Sequence, residues 1–338
     1  MKGGWKLMKK FGMFILGVFL IFAFACSKQG SSQKDGDGYP NRQIELVVPF
    51  AAGGGVDLAA RAVSEYLSEE WDVSIVVVNK TGGGGIVGAQ YVLKDAKPDG
   101  YTVLMNNNSS TTMYEAGAKD PILTIDDHVL AARVAQSPLV YAVKADAPWN
   151  DLAEFTEWVK ENPEELTWAS VGPAGFSSFG VAEWLDSVGV DYAKTQMVSS
   201  EGASDSTAKV AGGHVILAVH NAGEVYSLVK AGKLKVLAVQ AEERHPLYPD
   251  VPTTKEMGFE NLTVSWWTGI SFPEGTPESI VKKWDETIKK MQEDENFLLQ
   301  LEKINLQPSY LNSEDFTKMV SEETAKYKAL AEKLGIRK

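Results

Sequence analysis

The sequence predicts an α/β protein made of two halves, each a mostly parallel sheet flanked by helices. Three features carry that prediction. Short apolar runs of strand length alternate with longer segments that are apolar at helical spacing. The alternation stops and restarts near Leu139. With 338 residues, the chain also exceeds one ordinary domain.

The elements follow in order. Ile44 to Phe50 is an apolar strand. Val56 to Leu67 is a helix with Ala59, Val63, Tyr66 and Leu67 inward. Ile75 to Val78 is a second strand, Ile86 to Leu93 a short helix, and Tyr101 to Met105 a third strand after the turn Asp99-Gly100. In the second half, Leu139 to Val143, Leu166 to Ser170, Val215 to Val219 and Leu234 to Val239 read as strands. Asp151 to Val159, Ser178 to Val188 and Glu224 to Lys230 read as helices. A Pro-rich passage, 245–252, precedes the strand Thr263 to Ser271. Pro277 then takes the favoured first position of a helix. The remainder is charged, amphipathic and helical, and is expected to return over the first half.

Hydrophobic residues make up 44% and charged residues 23% of the chain, which marks it as globular. The formal net charge of −12 excludes a nucleic-acid partner, which requires a basic face. A small anion is not excluded, because it answers to local N–H groups and helix ends.

Residues 1–25 read as a signal peptide. Lys2, Lys6, Lys9 and Lys10 precede the apolar run Phe11 to Ala25, which is short for a spanning helix. Cys26 is the sole cysteine, so no intrachain disulfide exists. Its place resembles a bacterial lipoprotein cleavage site, with the alternative of ordinary cleavage near Ala25. Residues 26–38 are the lipidated Cys and a polar, Gly/Ser-rich tether. An exported, tethered protein has no supply of ATP or NAD.

Two glycine turns carry the chemistry. VVPFAAGGGVD (47–57) and SIVVVNKTGGGGIVGA (74–89) each join a strand to a helix. Such turns leave N–H groups facing an anion. Asp57 is either a cap or dipole partner, or it fixes the loop or meets a ligand donor. Gly83-x-Gly85-x-x-Gly88 matches the dinucleotide fingerprint in form, but Asn106, Asn107 and Asn108 stand where the ribose-binding acid is required. Asn106 to Thr112 (NNNSSTT) ends the third strand, on the edge where open sheets bind ligands. It is otherwise a surface loop. Gly172, Gly175, Ser177 and Ser178 repeat the strand–turn–helix pattern, with one serine as the helix cap. No H-E-x-x-H pair and no G-x-S-x-G elbow is present, so no catalytic, metal or cofactor residue is assigned. His220 ends a strand. It is either structural or a cleft residue that protonates near neutrality and binds a second carboxylate.

The strings YPNRQIELVVPFAAGGGVDLAARAVSEYL, VVVNKTGGGGIVGAQYVLKDAKPDGYTVLM, VGPAGFSSFGVAEWL and AGKLKVLAVQAEERHPLYPDVPTTKEMGF closely resemble the tripartite tricarboxylate transporter substrate-binding proteins, the Bug receptors among them. The resemblance implies a type II-like, two-lobed periplasmic-binding-protein fold with its ligand in the interlobe cleft. Lobe 1 would be 39–140 plus 245–338 and lobe 2 would be 141–244, hinged near Ala142 and Ala241. It implies a monomeric, lipid-anchored receptor on the outer face of the cytoplasmic membrane. The receptor captures a small organic mono-, di- or tricarboxylate and delivers it to large and small membrane subunits. An exported α/β enzyme or a ligand sensor of the same fold are the alternatives.

The carried-over ligand contacts are Ala52, Gly53, Gly54 and Asp57, then Thr81, Gly83, Gly84, Gly85 and Ile86. Asn107, Asn108, Gly175, Ser177, Ser178, His220 and Asn221 complete them. A Cβ at Gly54 or Gly84 is expected to block a ligand's approach. The chain departs from the family at Val56, Ile86, Ile216 and His220, where a hydroxyl, Asn, Asp, and Asp or Gly are commoner.

Overall fold

The computed structural model describes residues 38–259 and 261–337. The expected signal segment, Cys26 and tether residues 27–37 lie outside the described residues. Ten strands lie among the described residues: β1 (Ile44–Val48), β2 (Ile75–Asn79), β3 (Thr102–Asn107), β4 (His128–Lys144), β5 (Thr167–Ser170), β6 (Gln196–Ser199), β7 (Leu217–Asn221), β8 (Leu234–Gln240), β9 (Ser265–Pro273) and β10 (Gln307–Leu311). The helices are α1 (Gly55–Trp71), α2 (Ile86–Gln90), α3 (Thr112–Gly117), α4 (Leu152–Glu161), α5 (Phe176–Ser187), α6 (Ala203–Ala211), α7 (Ala222–Lys230), α8 (Glu278–Met291), α9 (Glu295–Lys303) and α10 (Ser313–Leu334). α2 continues as a wider π turn over Tyr91–Asp95.

The strands run in the order β2-β1-β3-β9-β4-β7-β5-β6, with β8 and β10 also paired to β4. β1 is parallel to β2 and β3, and β5 is parallel to β6 and β7. β9 is antiparallel to both β3 and β4. Each parallel group carries glycine-rich turns at the carboxyl ends of its strands.

β4 is antiparallel to each of its partners and joins the two groups. From His128 to Pro138 it pairs with β9, and from Leu139 it pairs with β7 and β8. The sequence reading began this strand only at Leu139. Arg133, Gln136 and Pro138 break the apolar pattern before that point. Pro138 stands where the ladder changes partners, so its missing N–H costs little.

The first-half core packs Leu46, Val48, Val63, Leu67, Val103 and Met105 with Ile280, Trp284 and Ile288 of α8. Trp284 Nε1 donates to the Tyr39 hydroxyl at 2.6 Å, and that hydroxyl donates to the Gly100 carbonyl at 2.7 Å. The tail therefore does cover the first half, but α10 goes further. Its Tyr327 ring lies 5.0 Å from Phe179 of α5, and Lys326 pairs with Glu183. Two more expectations fail locally. β10 interrupts the tail expected to be all helix, and Pro277 caps α8 rather than entering it.

Candidate functional site

The first turn is fastened from within. Gly53 adopts φ +83, a left-handed conformation that glycine takes without strain. Its N–H donates to Asp57 Oδ2 at 2.9 Å. Arg61 forks onto both oxygens of the same carboxylate at 3.0 Å. Asn79, at the end of β2, donates to Asp57 Oδ1 at 2.9 Å and to the Phe50 carbonyl at 3.0 Å. Burial alone raises the Asp57 carboxyl. The bonds from Arg61, Gly53 and Asn79 outweigh burial and hold it below its ordinary range. Asp57 is 1% exposed, so it organises the loop and presents nothing to a ligand.

In the second turn Gly82, Gly83, Gly84 and Gly85 all have positive φ. They divide by surroundings. A Cβ on Gly85 would stand 2.8 Å from the Phe50 ring and 3.0 Å from Ser110 Cβ. One on Gly88 would stand 2.6 Å from the Lys80 carbonyl oxygen. These two glycines permit close packing. Gly84 has nothing within 4 Å of its Cβ position, and Gly54 meets only the Ala51 carbonyl at 3.5 Å. Both positions are open on the protein's own side, so a side chain there would occupy the space beside the backbone rather than meet the protein. Ala52 and Thr81 are exposed. Ile86 is 6% exposed and packs with Val47, Ala89, Val92 and Leu104, so it is a core residue rather than a ligand contact.

The polar end of β3 is buried, not a surface loop. Asn107 Oδ1 accepts from the Ser110 N–H at 3.1 Å, and Asn108 Nδ2 donates to the Ser265 carbonyl at 2.7 Å. Both amides are engaged in shaping the turn. Asn108 Oδ1 and both amide atoms of Asn106 have no hydrogen-bond partner. Ser109 Oγ accepts from the Phe176 N–H at 3.3 Å, which joins this turn to the start of α5.

Gly175, not a serine, caps α5. Ser177 Oγ donates to the Val219 carbonyl and Ser178 Oγ to the Gly172 carbonyl, each at 2.6 Å. Their hydroxyl protons are spent inside the protein, which corrects the expectation that they face an anion. A cavity of about 770 Å³ separates the second glycine turn from the Gly172–Gly175 turn. Gly83, Gly84, Ser109, Trp168, Gly172 and Gly175 line it. Asn107, Asn108, Ser177, Ser178, His220 and Asn221 do not.

Those last two residues gather elsewhere, around the first turn. Asn221 ends β7 and caps α7, its Oδ1 accepting from the Glu224 N–H at 3.0 Å. Glu224 Oε1 lies 3.4 Å from the Gly55 N–H nitrogen, and Glu224 Oε2 lies 3.8 Å from His220 Nδ1. Burial pushes His220 down to about 4, so it is neutral at pH 7. The expected switch near neutrality is therefore not at His220. Burial pushes Glu224 up to about 7, against the bond from Gly55. Sequence reading missed Glu224 because an acid in a first helical turn reads as a dipole partner. Its i+4 spacing from His220 was the available signal.

Among the described residues, no three His, Cys, Asp or Glu side chains are grouped to hold a metal, and no helix is long and apolar enough to cross a membrane.

Solved proteins of similar architecture include periplasmic binding proteins. The UPF0065 protein of the gbd 5' region of Cupriavidus necator is 30% identical over 309 residues, covering 91% of this chain and 92% of that one. The solved periplasmic binding protein BugD is 26% identical with a TM-score of 0.77, over 88% of this chain and 99% of its own. MatC from Rhodopseudomonas palustris, solved with bound malate, is 25% identical with a TM-score of 0.77, over 86% and 99%. The fold is thus the two-lobed periplasmic-binding-protein fold. The model of the tripartite tricarboxylate transporter family receptor matches residues 59–336, and the chain belongs to that family.

Proposed function

We propose that the protein captures a small organic carboxylate outside the cytoplasm and hands it to the membrane subunits of a tripartite-type permease. One observation carries this reading: Asn79 bonds both Phe50 and Asp57, so the two glycine turns form one piece. Gly83 and Gly84 of that piece face a cavity closed on its far side by Gly172 and Gly175. Glycine backbone on both walls suits an anion held by N–H groups without a fixed cation. Malate in MatC is a ligand of this chemical class.

Lobe 1 in this reading is 39–140 plus 245–338, and lobe 2 is 141–244. The change of partners in β4 at Pro138–Leu139 supports one hinge strand. The parallel bridge of Val239 to Thr253 lies at the other crossing. The ligand atoms are met by backbone at Ala52, Gly53, Gly54, Thr81, Gly83, Gly84 and Gly175. The protein sits on the outer face of the cytoplasmic membrane through an acyl chain on Cys26.

A thermal-shift screen of carboxylates tests the receptor reading. A ligand at 100 times its Kd should stabilise the fold by about 2.7 kcal/mol and be recovered unchanged. Conversion of the ligand would indicate an enzyme instead. Radiolabelled palmitate should label the wild-type protein in its bacterium and not Cys26→Ser.

A further inference from the structure

A group of polar side chains at the first glycine turn is left incomplete by the protein itself. Asn221 Nδ2 and His220 Nε2 are buried and have no hydrogen-bond partner, their residues being 1% and 6% exposed. Asn221 Nδ2 and Glu224 Oε1 each lie 3.4 Å from the point where a Cβ on Gly55 would stand, so both face the turn. Trp266 closes the same space at 3.5 Å. Among the described residues, the one ionisable partner within 4 Å of Glu224 is His220, at 3.8 Å.

The hydrogen-bonding capacity has a definite pattern. Glu224 offers carboxylate oxygens. His220, neutral because it is buried, offers a lone pair at Nε2 when Nδ1–H points to Glu224. Asn221 offers one N–H₂ group. With Nδ1–H on His220, two acceptors and one donor stand beside the Gly55 turn, and together they match a group that gives several hydrogen bonds and carries positive charge. Once ionised, Glu224 would meet a second carboxylate as a like charge and repel it, whereas an ammonium group beside it favours the ionised form.

We infer that Glu224, with His220 and Asn221, is a specificity subsite that selects an ammonium group, making the ligand an aminocarboxylate rather than a dicarboxylate. This rests on the carboxylate-receptor reading and refines it. The glycine backbone takes the ligand's carboxylate, and the Glu224 subsite takes its other end.

Titration calorimetry on ligand-stripped protein tests the inference. The probes are ω-aminoalkanoates from β-alanine to 5-aminopentanoate, α-amino acids, and dicarboxylates and plain monocarboxylates of matching length. The wild type should bind at least one aminocarboxylate more than tenfold tighter than its matched dicarboxylate. Glu224→Gln, which keeps the shape and removes the charge, should abolish that preference, with plain monocarboxylate affinity unchanged. A wild type that prefers a dicarboxylate, or an aminocarboxylate preference that survives Glu224→Gln, overturns the subsite and leaves the receptor reading standing. Binding of none of the four classes by folded protein overturns both.

Discussion

Asn79 Nδ2 donates to Asp57 Oδ1 at 2.9 Å across 22 residues of chain, and this bond makes two separate glycine turns one structural unit. Asn79 ends β2 just before the second turn, and Asp57 opens α1 just after the first. Asn79→Ala removes a hydrogen bond to a charged acceptor and strands the Phe50 carbonyl. It should cost about 1.5–3 kcal/mol of stability by chemical denaturation. Carboxylate affinity should fall as well, because the turns lose their register. Unchanged affinity in the variant would mean that each turn holds its shape alone.

The glycines of the second turn should separate by phenotype. Gly88→Ala places a Cβ 2.6 Å from the Lys80 carbonyl oxygen and overpacks the contact, at a cost of about 1–3 kcal/mol. Gly84→Asn should be well folded, since Asn tolerates the left-handed backbone and nothing lies within 4 Å. Its side chain projects at the cavity wall and should weaken binding. Melting temperature and calorimetry on the two variants separate the effects.

Ser177→Ala should leave affinity untouched and cost about 1–3 kcal/mol, by stranding the Val219 carbonyl that the hydroxyl serves at 2.6 Å. An affinity loss with stability intact would place the hydroxyl in the ligand shell instead.

Glu323 supplies a pH test away from the site. It accepts from Trp267 Nε1 at 2.8 Å and from the Thr112 hydroxyl at 2.9 Å, yet burial pushes it up to about 7. The fold then keeps a proton that the unfolded chain releases, so this group's contribution falls as pH rises from 4.5 to about 7. The loss is on the order of 3 kcal/mol. His128 acts oppositely. Burial pushes it down to about 4, so its contribution falls as pH drops from 6.5 towards 4. Glu323→Gln should therefore gain stability relative to the wild type as pH goes from 5 to 8. A constant difference over that range would mean that Glu323 stays ionised in the fold.

Much of the fold was legible because local patterns specify it. β1, α1, β2 and β3 were placed within a few residues, since each has a clean apolar period bounded by glycine or proline. Most of β4 was not, because Arg133 and Gln136 interrupt its apolar pattern and the strand changes partners at Pro138. α6 and β6 were missed because residues 196–211 are largely polar at the surface. In the site, composition marked the glycine turns but not their division of labour. Gly85 and Gly88 differ from Gly84 only in what packs on them, and that is tertiary information. Ile86, a ligand contact by resemblance, is core. Glu224 reads from the sequence only as the start of a helix, and the approach of α7 to Gly55 is what gives it a partner.

The central claim is that the glycine turns hold the carboxylate of a ligand. Calorimetry of ligand-stripped protein, with each carboxylic acid run beside its methyl ester, tests it most directly. The ester keeps the carbon skeleton and loses the charge. The account predicts one acid bound at a single site and its ester bound at least a hundredfold more weakly. An ester that binds as tightly as its acid would contradict it.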